Sequence, residues 1–245
     1  MRGGSSLSRR AGYRGLSAGA AVYAAAFAAV TVAWGIDPRL DLAVSRLFYR
    51  PGDGFFLSGE PWARFVSSAV PWAAWTIGLG ILAAGLWAWL RPGGSRRLRR
   101  VTAYLLLALL LGPGLLTNVL LKDHWGRARP YQVAAFGGGR AFTPPLVPAH
   151  QCTTNCSFVA GHPSVAFFLV AFAFLVRDPP RRRLAIAAAV AAGLAVGFVR
   201  VVQGQHFASD VLYSGLLNVG LIWVLWRRLA ATGGAGTGPG RADPA

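Results

Sequence analysis

Six long apolar runs dominate this sequence and restrict the folds that are open to it. They occupy residues 17–35, 70–90, 101–121, 164–176, 184–199 and 211–226. A helix that crosses a lipid bilayer needs about 20 predominantly apolar residues. Charged residues make up 13% of the chain, whereas soluble domains carry about 25%. We therefore predict an all-α integral membrane protein with about six transmembrane helices in a bundle.

Three of the runs carry finer expectations. The Gly-Pro-Gly sequence at 112–114 should kink the third helix. Run 164–176 is short for a span unless its helix begins near Ser157 with a polar first turn. Run 184–199 is rich in alanine and glycine, so it suits close packing against neighbouring helices better than contact with lipid.

Residues outside the runs predict the remaining organisation of the chain. Residues 40–49 place apolar side chains at i, i+3, i+4, i+7 and i+8, which indicates a helix lying at the membrane interface. Residues 1–230 are expected to form a single membrane-embedded domain. The glycine-rich tail, 231–245, is expected to be disordered.

Basic residues are divided unevenly between the loops, and this predicts the orientation. With six spans, the two termini and the second and fourth loops share one side, which holds 16 of the 25 lysines and arginines; the other side holds nine. Because the arginine-rich side of a membrane protein is usually cytoplasmic, we expect both termini in the cytoplasm. The net charge of +17 would also suit a nucleic-acid binder. The clustering of the arginines between apolar runs favours the membrane interpretation, without a nucleic-acid partner.

Cys152 and Cys156 both fall in the third loop, on the predicted outer side. A disulfide is permitted there, and two reduced thiols are the alternative. Two sulfurs without a convergent pair of histidines are too few ligands for structural zinc.

Three clusters of ionisable residues stand at the ends of apolar runs, all on the predicted outer side. Ionisable groups at membrane boundaries are costly and usually functional. The clusters are Lys122 with Arg129, Gly161 with His162, and Arg200 with His206 and Asp210.

The residue types in these clusters suit anion chemistry. His206 and Asp210 are four apart, which places them on one helical face if the helix has begun by His206. A carboxylate that accepts a hydrogen bond from one ring nitrogen leaves the other free as a nucleophile or base. Lys122, Arg129 and Arg200 would surround an anion with positive charge.

Each cluster also has a structural interpretation. Lys122, the only lysine in the chain, could be a snorkelling residue at a helix end. Arg127 and Arg129 could contact lipid headgroups, and His206 with Asp210 could be a structural pair. The coincidence of three clusters on one membrane face favours a functional site.

The same segments resemble the motifs of the type 2 phosphatidic acid phosphatase family. KDHWGRARP resembles its K-x6-RP motif, and FVRVVQGQHFASD resembles its third motif, R-x5-H-x3-D. SFVAGHPS stands between them, where the family usually has P-S-G-H. The resemblance implies a helical bundle with a haloperoxidase-like core. It also implies a phosphomonoesterase or pyrophosphatase that acts on membrane lipid phosphates and needs no metal or other cofactor.

The resemblance also implies roles for the matched residues. His206 would attack phosphorus to form a phosphohistidine, and Asp210 would orient it and stabilise its charge. His162 would protonate the leaving oxygen and then activate water. The phosphate oxygens would be bound by Lys122, Arg129, Arg200 and the backbone N–H of Gly161.

Two positions depart from the family pattern. Ala160 stands where the family has a serine before Gly-His, and Val199 stands where a serine often precedes the arginine of the third motif. Losing one such hydroxyl donor costs on the order of 10²–10³ in rate. Ser164 is a candidate substitute if the backbone turns it inward.

The favoured hypothesis is a lipid phosphatase of a bacterial inner membrane with its site facing the periplasm. WGRARP and NCSFVAGH look most like phosphatases of the lipid A group. Undecaprenyl pyrophosphate, phosphatidylglycerophosphate and phosphatidic acid are alternative substrates. Loop 131–151 is placed to cover the headgroup. A weakened family member that binds headgroups without turnover, and a channel or transporter, remain alternatives, and the oligomeric state is open.

Overall fold

Helices make up most of this protein, which is described by a computed structural model over residues 4–230. Four further helical stretches of the described residues lie outside the main elements: π-helical stretches at Leu110–Leu121 and Trp226–Ala230, and 3₁₀ turns at Pro130–Gln132 and Ala134–Phe136. The main elements are α1 (Gly4–Ile36), α2 (Leu40–Arg46), β1 (Tyr49–Arg50), β2 (Gly54–Phe55), α3 (Pro61–Leu90), α4 (Arg96–Leu109), α5 (Lys122–His124), α6 (Gly161–Phe167), α7 (Val170–Ala173), α8 (Pro179–Val202) and α9 (Ala208–Leu225).

Five helical segments of the described chain are long and apolar enough to cross a membrane, which confirms the predicted fold class. They are Ala18–Ile36, Pro61–Leu90, Arg96–His124, Pro179–Val202 and Ala208–Leu229. The fourth run, 164–176, forms α6 and α7 instead, and together they cover only Gly161–Ala173. Thirteen helical residues reach about 20 Å, which is less than the roughly 30 Å of a bilayer core. The predicted count of about six is therefore five long helices and one shorter apolar segment.

The Gly-Pro-Gly sequence changes the hydrogen bonding of the third span. α4 passes at Leu110 into the π-helical stretch, which contains Pro113 and continues into α5. Proline has no backbone N–H to donate, and a π-helical pattern is one way in which a helix continues past the missing hydrogen bond. The span ends at His124, so Lys122 lies in its last turn.

Small residues on α8 allow the close packing expected for this helix. A methyl group at Gly193 would overlap the ring of Phe167 on α6, and one at Gly197 would overlap Val211 on α9. Phe167 and Val211 belong to a buried cluster with Ala160 and Val201. This cluster fixes α6, α8 and α9 against one another directly beside the predicted site residues.

The segment between the first two spans forms a helix where the sequence predicted one, although the helix is shorter than residues 40–49. α2 ends at Arg46, and its fully buried side chains are Asp41 and Ser45. Ala43 and Leu47, which the pattern assigned to the apolar face, are exposed. Asp41 can be buried because it has an ionic partner, and the position of this helix at the membrane interface remains a prediction.

A covalent bond resolves the question of the two cysteines. Cys152 and Cys156 form a disulfide in the loop before α6. The tail at 231–245, predicted to be disordered, lies outside the described residues, and the single domain over 1–230 remains a prediction.

Candidate active site

The first and second motifs meet where α5 ends and α6 begins. Lys122 is buried at the end of the long span, and Gly161 is the first residue of α6. A Cβ atom placed on Gly161 would lie 3.2 Å from Lys122 Nζ and 2.8 Å from Asn118 Oδ1. A side chain at this position would require Asn118 and Lys122 to shift, so its absence allows the lysine ammonium to lie against the start of α6.

The first and third motifs meet at Gln205. Arg129, in the loop after α5, and Arg200, in the last turn of α8, both donate to the side-chain oxygen of Gln205, the latter at 3.4 Å. Arg129 is also held by the carbonyl of Asn155 at 2.8 Å. Two guanidinium groups therefore converge on one neutral oxygen, a position that a phosphate oxygen would occupy with stronger hydrogen bonds.

Ser67 on α3 connects His162 with Arg200. The Nε2 atom of His162 lies 3.0 Å from the Ser67 carbonyl, to which it can only donate. The Ser67 hydroxyl accepts from Arg200 Nη1 at 2.8 Å, and Gln203 accepts from the same nitrogen at 2.7 Å. The Nε of Arg200 is buried and has no hydrogen-bond partner among the described residues. The site therefore contains a buried donor whose hydrogen bond is not satisfied within the described chain.

His206 is fixed in one tautomer by a backbone carbonyl. Its Nδ1 atom lies 2.8 Å from the carbonyl of Ser157, so Nδ1 carries the proton and the Nε2 lone pair is free. Asp210 Oδ2 lies 3.7 Å from Nδ1, which is an ion-pair distance and too long for a hydrogen bond. From the sequence we expected Asp210 to accept the hydrogen bond of His206 Nδ1–H. The Ser157 carbonyl accepts it instead.

Asp210 acts on His206 partly through the same serine. The Ser157 hydroxyl donates to Asp210 Oδ2 at 2.5 Å, and the Phe207 backbone N–H donates to the same oxygen at 2.9 Å. Ser157 therefore contacts both members of the pair. Sequence reasoning missed this role, since the contacts of Ser157 join residues about 50 positions apart.

The His206 ring is neutral at neutral pH. Burial lowers its pKa to about 3; the nearby Asp210 carboxylate opposes this effect, and the positive charges of Arg129 and Lys122 reinforce it. Lys122 lies beside Gly161, and its carbonyl accepts at 2.9 Å from the backbone N–H of Cys156, the residue before Ser157. Through these linked contacts, all seven residues singled out from the sequence occupy one region.

Ala160 is fully buried beside the site, and its backbone is bound to α9. Its N–H donates to the Asp210 carbonyl at 3.1 Å, and its carbonyl accepts from Ser214 Oγ at 2.7 Å. The Ser164 hydroxyl, considered as a replacement for the missing serine, donates to the Gly161 carbonyl at 2.6 Å. Its proton is thus committed within its own helix.

Contact with lipid headgroups was one interpretation of Arg127 from the sequence, and that interpretation was wrong. Its side chain is fully buried, and it forms ion pairs with Asp41 at 2.7 Å and Asp210 at 2.5 Å. Among the described residues, no three histidine, cysteine, aspartate or glutamate side chains converge as metal ligands.

A polar hollow of about 260 Å³ lies next to the site, within the loop expected to cover a headgroup. Gln132 lines it and also accepts from the Arg129 backbone N–H at 2.9 Å, so the hollow adjoins the arginine. Its other lining residues are Arg140, His150, Gln151, Cys152, Thr153 and Thr154.

The described chain thus combines five membrane-length helices with a cluster of three cations and two imidazoles. The chain belongs to the PAP2 superfamily, whose model matches residues 101–232. That range contains all seven of the predicted site residues. The match agrees with the family resemblance found in the sequence motifs.

Named relatives give a more specific comparison. The chain is 42% identical over 128 residues to a lipid A 4'-phosphatase of Francisella tularensis subsp. novicida, covering 52% of this chain and 58% of that protein. It is 43% identical over 112 residues to a lipid A 4'-phosphatase of Rhizobium leguminosarum, covering 45% and 47%. A lipid A 1-phosphatase of Rhizobium johnstonii is 36% identical over 121 residues, covering 46% and 41%. The chain thus matches about half the length of these relatives, and no solved structure matches it.

Proposed function

We propose that this protein is a membrane phosphatase that hydrolyses a lipid phosphate monoester through a phosphohistidine on His206. The observation that carries the proposal is the environment of that ring. Its Nδ1–H is bound by the Ser157 carbonyl, which leaves Nε2 free, neutral and within electrostatic reach of Lys122 and Arg129. A neutral imidazole that needs no prior deprotonation is ready to act as a nucleophile.

In the first step, the Nε2 lone pair of His206 attacks phosphorus, and the bond from phosphorus to the headgroup oxygen breaks. The leaving oxygen takes a proton from His162. The imidazole now carries both phosphorus and the Nδ1 proton, and Asp210 stabilises its positive charge from 3.7 Å. In the second step, water attacks phosphorus, His162 takes the proton of that water, and His206 is released.

The contacts of His162 assign different tasks to its two nitrogens. Because Nε2–H donates to the Ser67 carbonyl, Nδ1 is the nitrogen that exchanges protons with the substrate. A bound phosphate dianion favours the doubly protonated ring, which is the form that can protonate a leaving oxygen.

Positive charge around the phosphate provides the remaining catalysis. Lys122, Arg129, Arg200 and the Gly161 N–H would bind the non-bridging oxygens, whose charge changes during phosphoryl transfer. Substrate binding would displace the Gln205 oxygen from Arg129 and Arg200. The buried Nε of Arg200 would gain a partner at the same time.

The favoured substrate is a lipid A phosphate, and two observations support it. The relatives named above are lipid A phosphatases. The polar hollow beside Arg129 offers amide, hydroxyl and cationic groups to a sugar headgroup. We place the site on the periplasmic side of a bacterial inner membrane, with both termini cytoplasmic, because the basic residues concentrate in the opposite loops.

A panel of lipid phosphates tests this function. We expect the purified protein in detergent with EDTA to release phosphate from lipid A 4'-phosphate or 1-phosphate. Its kcat/KM there should exceed that for phosphatidic acid, phosphatidylglycerophosphate and undecaprenyl pyrophosphate by at least about tenfold. A preference for one of the other lipids would contradict the substrate assignment. Binding without turnover of any lipid would make the chain a headgroup binder, as Ala160 in place of serine would allow.

Replacing Lys122 by arginine should lower kcat/KM by about tenfold to a hundredfold while keeping the charge. The ammonium occupies a narrow space against Gly161 and Asn118. A planar guanidinium would displace the start of α6, and shifts of about 1 Å in a site can cost a hundredfold in rate. The matched control is Arg64→Lys, an exchange between the same residue types at an exposed position. Wild-type turnover by Lys122→Arg would show that the compact charge is not required.

A further inference from the structure

Asp41 and Arg127 lie outside the matched motif positions, yet they form the most buried ionic cluster of the described chain. Both side chains are fully buried. The two terminal nitrogens of Arg127 bind different carboxylates: Nη2 donates to Asp41 Oδ2 at 2.7 Å, and Nη1 donates to Asp210 Oδ1 at 2.5 Å. The arginine thus bridges the predicted interfacial helix and the aspartate next to the candidate nucleophile.

Further contacts leave this bridge little freedom to move. Asp41 also accepts from the Ser209 backbone N–H at 2.9 Å, from the Ser209 hydroxyl at 2.5 Å and from Trp34 Nε1 at 2.9 Å. Arg127 Nε donates to the Thr143 carbonyl at 2.9 Å. The cluster therefore links α1, α2, the loop after α5 and the first turn of α9.

The same arginine also contacts the residue that follows the nucleophile. Its guanidinium lies 4.4 Å from the ring centroid of Phe207, and the Phe207 N–H donates to Asp210. The Arg127 carbonyl accepts from the Ser157 N–H at 2.9 Å, and Ser157 holds the His206 ring through its own carbonyl. Arg127 thus reaches His206 by two routes, one through Asp210 and one through Ser157.

An isolated buried carboxylate is costly unless it is paired. Asp41 and Asp210 bind the same guanidinium. Loss of either ion pair therefore leaves a fully buried charge without its partner. Burial and the Asp210 carboxylate raise the pKa of Asp41, and Arg127 opposes this effect. Asp210 presents a negative charge to His206, and this charge depends on the ion pair of Asp210 with Arg127.

We propose that Arg127 and Asp41 are positioning residues, which hold Asp210 and Ser157 so that the Nε2 of His206 points at the phosphorus atom. This proposal rests on the proposed phosphatase function. Neither residue touches the phosphate, so their loss lowers kcat through the geometry of attack and leaves anion binding by Lys122, Arg129 and Arg200 in place.

The test measures kcat and, separately, the inhibition constant of inorganic phosphate, which reports anion binding alone. We expect Arg127→Met to lower kcat by about a hundredfold and Asp41→Asn to lower it by about tenfold. The phosphate inhibition constant should change by less than about threefold in both. Arg127→Lys should recover part of the loss, and the double variant should be no worse than Arg127→Met, because both changes break one unit.

Controls separate this proposal from general destabilisation and from the function itself. Asp53→Asn makes the same chemical change at an exposed position and should retain wild-type kcat. Each variant is checked for a single symmetric peak in size-exclusion chromatography and for its unfolding temperature in detergent. If Arg127→Met does not fold, Asp41→Asn and Arg127→Lys, which retain most of the packing, decide the question.

Three outcomes have distinct meanings. Wild-type kcat in folded Asp41→Asn and Arg127→Met would overturn the proposal. A fall in kcat accompanied by an equal loss of phosphate binding would also overturn it, since that result indicates collapse of the whole site. A wild-type protein without phosphatase activity would refute the proposed function. In that case, direct binding of inorganic phosphate to the wild type, weakened in Lys122→Arg, would show independently whether the anion site exists.

Discussion

Replacing His206 by alanine should reduce phosphate release by at least about 10³-fold, because the covalent route loses its nucleophile. The ring is buried and its Nε2 lone pair is free, so the substitution removes the group that attacks phosphorus. The measurement is single-turnover release of labelled phosphate from the preferred lipid. Wild-type protein quenched in alkali should retain label on a histidine as an acid-labile phosphoramidate, and the variant should retain none.

A second histidine provides the control for this experiment. His124 also lies at the end of the third span, but it is exposed and its Nδ1 binds backbone carbonyls of its own helix. His124→Ala should keep at least about half of the wild-type rate, as surface changes usually do. Substantial turnover or a labelled intermediate in His206→Ala would refute the phosphohistidine mechanism, whatever the substrate.

Replacing His162 by asparagine should lower the steady-state rate on a lipid substrate by about 10²–10⁴-fold, the usual contribution of a general acid–base group. The size of the loss should depend on the leaving group. An alkoxide or sugar oxygen needs a proton as it departs, whereas p-nitrophenolate does not. With p-nitrophenyl phosphate, the variant should therefore still form the phosphohistidine and fail only at its hydrolysis.

Rapid mixing distinguishes these two steps. In His162→Asn, p-nitrophenol should appear in a burst of about one equivalent per active site, followed by slow turnover. Absence of a burst, together with equal losses on the lipid and on the activated substrate, would show that His162 serves the structure around Ser67 instead of proton transfer. Ser67→Ala, which keeps the backbone carbonyl that holds the ring, is the matched control for that structural role.

The fold class could be predicted from the sequence because bilayer thickness sets the length of a spanning helix. That constraint is local, so the long runs 17–35, 70–90, 101–121, 184–199 and 211–226 overlap the observed membrane-length helices. The run at 164–176 shows the limit of this approach. Its segment forms two short helices, α6 and α7, that pack against α8 and α9, and such packing depends on partners far away in the chain.

The candidate site was predictable to the extent that chemistry follows from residue type and short spacing. The lysine, the arginines and the two histidines stand at the ends of apolar runs, where burial of an ionisable group needs a reason. The pair His206 and Asp210 was expected from its four-residue spacing, and it does lie within ion-pair distance. Even there, the hydrogen bond that sets the tautomer comes from Ser157, which is 49 positions away.

What the sequence by itself determined is therefore the membrane-spanning architecture and the types of group available for an anion, because both depend on hydrophobicity and on neighbours along one helix. Only the tertiary structure decided which groups meet. The contacts of Arg127 with Asp41 and Asp210 span 86 and 83 residues, and those of Gln205 with Arg129 span 76. It also joined Cys152 to Cys156, a pairing that the sequence left open. The physical reason is that a buried charge is stable only beside its partner, and the partner is brought there by the packing of whole helices.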